Sequence, residues 1–181
     1  MRIRVVGVSG SGKSHLAAQI ARRCGIARLE LDAVFWDAEW THRDPEEARA
    51  MVREFVAGHP DGWVVDGNWT SKLDGLLDPG TSGGADVVVW LDHPRPVVMR
   101  RVIRRTLRRG IRREVLWHGN RERASSWLRR DPEENIMRWA WVQHPVVRER
   151  MLRRIDEGWP VVRLRDQGEV DAWLASVADG S

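Results

Sequence analysis

Tyrosine is missing from this chain altogether, phenylalanine occurs only at Phe35 and Phe55, lysine only at Lys13 and Lys72, and cysteine only at Cys24. A single cysteine excludes an intrachain disulfide and points to a reducing compartment; placed after a helix, it reads as a small buried apolar residue. No apolar run approaches the ~18 residues of a membrane span, so no membrane partner is expected. The first strand begins at residue 2, which is read as leaving no room for a cleaved leader, and the expected location is cytoplasmic. Against these absences stand 28 arginines, which supply almost all of the positive charge behind a net +4, and 11 tryptophans. With 181 residues, 42% of them hydrophobic, the chain is long enough for one domain with a proper core and too short for two. Residues 1–181 are therefore read as one unit.

The stretch that organises the rest is Gly7-Val8-Ser9-Gly10-Ser11-Gly12-Lys13-Ser14. It fits G-x-x-x-x-G-K-[ST] at every fixed position, after the apolar run Ile3, Val5, Val6 and before helically spaced Leu16, Ala17, Ile20 and Ala21. Strand, glycine loop and helix together make a P-loop. Gly7, Ser9, Gly10, Ser11, Gly12 and the neighbouring His15 lie where backbone amides converge on phosphate oxygens at a helix N-terminus. Lys13 would place a point charge on the β and γ phosphates, and the Ser14 hydroxyl would meet a bound magnesium ion. In a chain that otherwise uses arginine, a lysine here speaks for a slender ammonium.

Further along, Arg28–Leu31 reads as a second strand ending at Asp32, and 33–43 as a loop carrying Trp36, Trp40 and Arg43. Asp44-Pro45-Glu46-Glu47 opens a helix with an N-cap, a proline at the first position and a capping-box acid. Trp63–Val65 is a third strand, followed by Asp66-Gly67-Asn68-Trp69 and a short helix around 72–77. Val87–Leu91, apolar throughout, suits a central parallel strand and ends at Asp92. A helix from Pro96 to about Ile111 keeps Val98, Met99, Val102, Ile103 and Leu107 on one side and paired arginines on the other. Asp131-Pro132-Glu133-Glu134 repeats the helix-start signal, with the following helix passing Pro145 and stopping at Gly158. Val161–Leu164 is the last strand, before a closing helix. Five strands alternating with helices give a three-layer α/β fold with a five-stranded parallel sheet, whose strand C-termini gather the loop, Asp32, Asp66 and Asp92 at one edge.

Phosphoryl transfer needs a metal ion, positive charge on the oxygens and an aligned acceptor. Asp66 is the candidate magnesium holder and Asp32 the candidate for orienting an acceptor hydroxyl, each against the plainer role of a turn or cap carboxylate. Twelve arginines against two acids between 100 and 130 call for an anionic partner. Arg101 and Arg105, at the border of the apolar stripe, are placed to face the cleft, while Arg100, Arg104 and Arg108 face outward. Residues from about 110 to 132 are read as an arginine-rich lid. Trp36, Trp40 and Trp69 fall at the ligand edge, as a stacking surface or a cover over the core.

On these residues the chain resembles the adenylate-kinase-like P-loop kinases, and within them the bacterial branch labelled DNA topology modulation proteins. Gly7–Ser14, Leu31-Asp32 with Trp36 and Trp40, Val65–Trp69, Leu91-Asp92-His93-Pro94-Arg95 and Val162–Arg165 carry the likeness. The resemblance implies ATP and Mg²⁺ as cofactors, with Asp66 organising the metal and Arg101 and Arg105 clamping the nucleotide. It also implies that the turn beginning at Arg165 borders the base, and that Arg138 and Arg148 match the catalytic pair beyond the lid. Two departures stand out: Asn68-Trp69-Thr70-Ser71 lacks the arginine that grips an acceptor nucleotide's phosphate, and His15 replaces the usual threonine.

The expectation is thus a transfer of the γ-phosphoryl of ATP to a small acceptor contacted by Asp32, Trp36, Arg43, Asn68 and Trp69. Lys13, Asp66, Arg101, Arg105 and Arg148 would serve the chemistry, and Ser14 and Asp66 the metal. The alternative is a nucleotide-dependent ATPase or switch that uses its basic surface on nucleic acid. Neither a guanine-specific Asn-Lys-x-Asp nor a recognition-helix signature is present.

Overall fold

A computed structural model describes residues 1–112, 114–121, 131 and 135–178. Of the segment read as a lid, 110–132, residues 113, 122–130 and 132 lie outside them. Five strands, β1 (Arg2–Val6), β2 (Ala27–Glu30), β3 (Trp63–Asp66), β4 (Val87–Leu91) and β5 (Val161–Leu164), form one parallel sheet in the order β2-β3-β1-β4-β5. The register sets Val5 beside Asp66, Asp66 beside Glu30, and Leu91 beside Leu164, so the strand ends are level along one edge.

Alternation along each strand explains the layers, because successive side chains point to opposite faces. Ile3, Val5, Val64, Val89 and Leu91 meet helices α1 (Lys13–Cys24) and α7 (Gln167–Ala178) on one face. Trp63 and Val65 meet α2 (Leu31–Phe35), α3 (Pro45–Gly58) and α4 (Thr70–Leu73) on the other. On that same face Val6, Val88 and Trp90 meet α6 (Ile136–Asp156), while α5 (Arg95–Arg112) packs Val98 and Val102 on Val8 and Ala140. Arg4 also points into this layer from the central strand. Burial pushes its guanidinium below the usual arginine value, and its bonds to Asp78 (2.8 Å) and Thr70 (3.1 Å) hold the charge.

Three local readings need correction. Asp32 lies in the first turn of α2 rather than on a strand end, because β2 stops at Glu30. The short helix after β3 runs over Thr70–Leu73 instead of 72–77. The long sixth helix opens at Ile136, where the Asn135 side chain accepts from the amides of Met137 and Arg138; the Asp131 signal is not its cap. By contrast Asp44 does cap α3, accepting from Glu46 and Glu47. None of the helices among the described residues is long and apolar enough to cross a membrane.

Candidate functional site

The loop between β1 and α1 is shaped by its glycines. Gly10 has φ +84°, and a Cβ there would lie 2.3 Å from the Val102 side chain of α5. Gly12, with φ +104°, is the N-cap of α1, and no side chain caps that helix or places an acid in its first turn. Its leading amides are thus left for an anion. Ser11 is buried to 1% exposure, and its hydroxyl has no hydrogen-bond partner among the described residues.

Charged groups reach this loop from two sides. From α5, Arg101 donates to the Ser11 carbonyl at 3.2 Å and to Gln167 Oε1 at 3.4 Å, and Arg105 donates to Ser9 Oγ at 2.8 Å. From the sheet edge comes Asp66, whose Oδ1 lies 2.8 Å from Ser14 Oγ. The same hydroxyl is 3.1 Å from Glu30 Oε1, so two carboxylates compete for one proton. Arg28 caps the other Asp66 oxygen with Nε at 3.1 Å and Nη2 at 2.9 Å and also pairs with Glu30. Lys13 Nζ reaches the Val8 carbonyl at 3.3 Å. Burial lowers its pKa below the ordinary lysine value, opposed by the nearby charges of Asp32 and Asp66.

The structure therefore brings Lys13, Ser14, Asp66, Arg101 and Arg105 onto one loop. Arg28 and Glu30 belong to the same network and were not foreseen. Their signal was the Arg-x-Glu alternation on β2, which puts both side chains on one face.

Several other candidates are committed elsewhere. Asn68 faces the loop instead of the acceptor side: its Nδ2 donates to the Gly7 carbonyl at 2.7 Å, and its Oδ1 accepts from the Gly7 amide at 3.3 Å. Arg43 is bound to Asp37 and holds its own turn closed, which raises its pKa and lowers that of Asp37. Arg148 pairs with Asp92, which Arg163 also grips, so it braces α6 against β4 and β5 rather than reaching Lys13. Arg165 is tied to Glu169. His15 is exposed beside Gln19.

Beside the loop Trp69 Nε1 donates to Asp32 Oδ1 at 2.7 Å while its ring stacks on Phe35 with centroids 4.7 Å apart. Trp36 packs edge-on against Trp69 and Trp40 and stacks on His42. Residues 36–42 form a seven-residue turn closed by a Trp36–His42 bridge, and residues 115–121 form a second one closed by Val115–Arg121. The two share one build. Each has a single turn of 3-10 helix and left-handed fourth and fifth residues, Glu39 and Trp40 in one, His118 and Gly119 in the other. Buried Asn120 joins them, accepting from the Trp40 amide at 3.0 Å and donating to the Asp37 carbonyl at 2.7 Å. Trp40 meets Trp117, and His118 reaches the Ala33 carbonyl.

Free amides, an unpartnered hydroxyl and three cations fit the tail of a nucleoside triphosphate. Ser14, Asp66 and Glu30 offer hard oxygen donors. Among the described residues no group of three His, Cys, Asp or Glu could hold a metal alone. That donor set suits magnesium, which keeps its waters and shares its shell with phosphate.

No family model matches the chain. The Bacillus subtilis (strain 168) protein YqaC is 23% identical over 188 residues, covering 98% of this chain and 95% of the relative. Among solved structures, shikimate kinase from Bacteroides thetaiotaomicron superposes with a TM-score of 0.52 at 13% identity, covering 99% of this chain and 96% of that one. Deoxyadenosine kinase from M. mycoides with bound dATP gives a TM-score of 0.53 at 12% identity and 98% coverage of both chains. These likenesses are of fold: the chain has the three-layer architecture of P-loop kinases.

Proposed function

We propose that the chain is a magnesium-dependent, ATP-using phosphotransferase of the adenylate-kinase-like group, in its DNA topology modulation branch. We read it as one cytoplasmic domain with residues of about 110–132 as its lid. The observation that carries this reading is convergence on a single loop: Ser14 against Asp66 from the sheet, and Arg105 and Arg101 against Ser9 and Ser11 from α5. In it the loop amides and Lys13 bind the triphosphate tail, and Arg101 and Arg105 neutralise charge on the migrating group. Ser14 and Asp66 would hold magnesium, which when bound supplies charge neutralisation on the phosphate oxygens. Glu30 would order the surrounding waters, with Arg28 keeping Asp66 oriented. Calorimetric titration with MgATP tests the reading: wild-type protein binds and Lys13→Met does not. Undiminished affinity in Lys13→Met would overturn it.

A further inference from the structure

Resting on that reading and deepening it, we propose that Arg28 is the built-in counter-ion of the Asp66 and Glu30 carboxylates, keeping a divalent cation from settling there ahead of the nucleotide. Three observations lead here. First, the β2–β3 register sets Glu30 beside Asp66, and Ser14 Oγ touches both, 2.8 Å from Asp66 Oδ1 and 3.1 Å from Glu30 Oε1. Second, Arg28 stands two residues before Glu30 on the same face of β2, and its Nη2 reaches both acids, 2.9 Å from Asp66 Oδ2 and 3.5 Å from Glu30 Oε2. Third, Asp66 is only 1% exposed, so water screens its attraction to Arg28 poorly.

Two carboxylates side by side repel each other unless a cation lies against them. Left bare they would draw a divalent ion, since affinity for a hard cation follows the number of anionic oxygens offered. Asp66 and Glu30 together carry −2, and Arg28 reduces what such an ion meets to −1. Lys13 reinforces this from the loop side, its ammonium feeling the charges of both acids. Arg28 takes its contacts on Oδ2 and Oε2, which leaves Oδ1 and Oε1 turned toward Ser14 and the phosphate loop. A triphosphate on that loop adds negative charge of its own and tips the balance back toward the metal. Holding Asp66 still does not fall to Arg28 alone, because Ser14 donates to the same carboxylate.

Titration of nucleotide-free protein with Mn²⁺, the free ion being counted by electron paramagnetic resonance, tests this. Wild type is expected to hold Mn²⁺ with a Kd of about 1 mM or weaker. Arg28→Gln, which can still donate to Asp66 but carries no charge, is expected to bind it at least about tenfold more tightly. Arg28→Lys, which keeps the charge, is expected to stay within about threefold of wild type. A merely orienting role moves the readout the other way, because a loosened Asp66 binds the ion more weakly. Equal or weaker binding in Arg28→Gln therefore overturns the proposal, as does an Arg28→Lys variant that binds as tightly as Arg28→Gln. Micromolar Mn²⁺ binding by wild type overturns it without any variant. Each of these results leaves the donor reading standing where wild type binds MgATP, whereas wild-type protein that fails to bind MgATP removes the donor reading instead.

Discussion

The donor and acceptor halves of the cleft satisfy their polar groups in opposite ways. Around Gly7–Ser14 the amides at the helix start are left uncapped, the Ser11 hydroxyl has no partner among the described residues, and arginines arrive from a different element. Around Asp32 and Trp36 almost every polar group is spent inside the protein: Arg43 on Asp37, Asn120 on Trp40 and Asp37, Trp69 on Asp32. Buried polar groups left without partners cost stability unless a ligand completes them. The first half is thus shaped to receive an anion, while the second is a preformed wall.

The largest effect that would break this contrast lies at Lys13. Its replacement by methionine is expected to reduce kcat/KM by about 10³-fold or more, together with loss of MgATP binding. Next comes a paired test on α5. Arg105→Ala, which removes the contact with Ser9, is expected to lower turnover by about 10³-fold. Its outward-facing neighbour serves as the control, with Arg104→Ala changing turnover by less than about twofold. Equal losses would mean that the arginines act as a diffuse field instead of through the loop.

On the acceptor half the predicted effect is on stability. Asn120→Ala strips partners from the Trp40 amide and the Asp37 carbonyl and is expected to cost about 1–2 kcal/mol in urea unfolding, with MgATP affinity unchanged. A fall in MgATP affinity as large as that in Arg105→Ala would erase the distinction between the halves. The smallest effect is again at Lys13, now in ligand-free protein. Burial depresses its pKa below 10.5, so the charged ammonium costs stability at every pH below the folded value, and the cost fades as pH rises from there toward 10.5. Lys13→Met should then be at least as stable as wild type at pH 7, with the gap closing on titration to pH 10.5. Thermal unfolding across that range measures it, and a variant less stable at pH 7 contradicts the assignment.

The same contrast explains what could be read from the sequence. The donor half rests on short-range spacing, and a strand, a glycine loop and a helix are adjacent in the chain. Asp66 follows from the end of an apolar strand, and Arg101 and Arg105 follow from the border of a helical stripe. Arg28 and Glu30 escaped because only the β2–β3 register brings them beside Asp66. Chain neighbourhood assigns Asn68 and Arg43 to the acceptor, yet Asn68 finds its partner by tertiary approach, 61 positions away at Gly7, and Arg43 is taken up by Asp37 within its own turn. The Asp-Pro-Glu-Glu signal at 131 failed for a related reason. A cap is decided by which side chain reaches the first amides, and Asn135 does so.

One dipeptide joins the halves. Asn68 fastens to the first glycine of the phosphate loop, and Trp69, its immediate neighbour, fastens to the carboxylate across the cleft. Two consecutive residues form a yoke between the phosphate loop and the first turn of α2, so the spacing of those two parts is set by a single peptide unit and not by the travel of a distant arm. Any displacement of one partner drags the other with it, and their alignment survives thermal jostling that would blur two independently mounted parts.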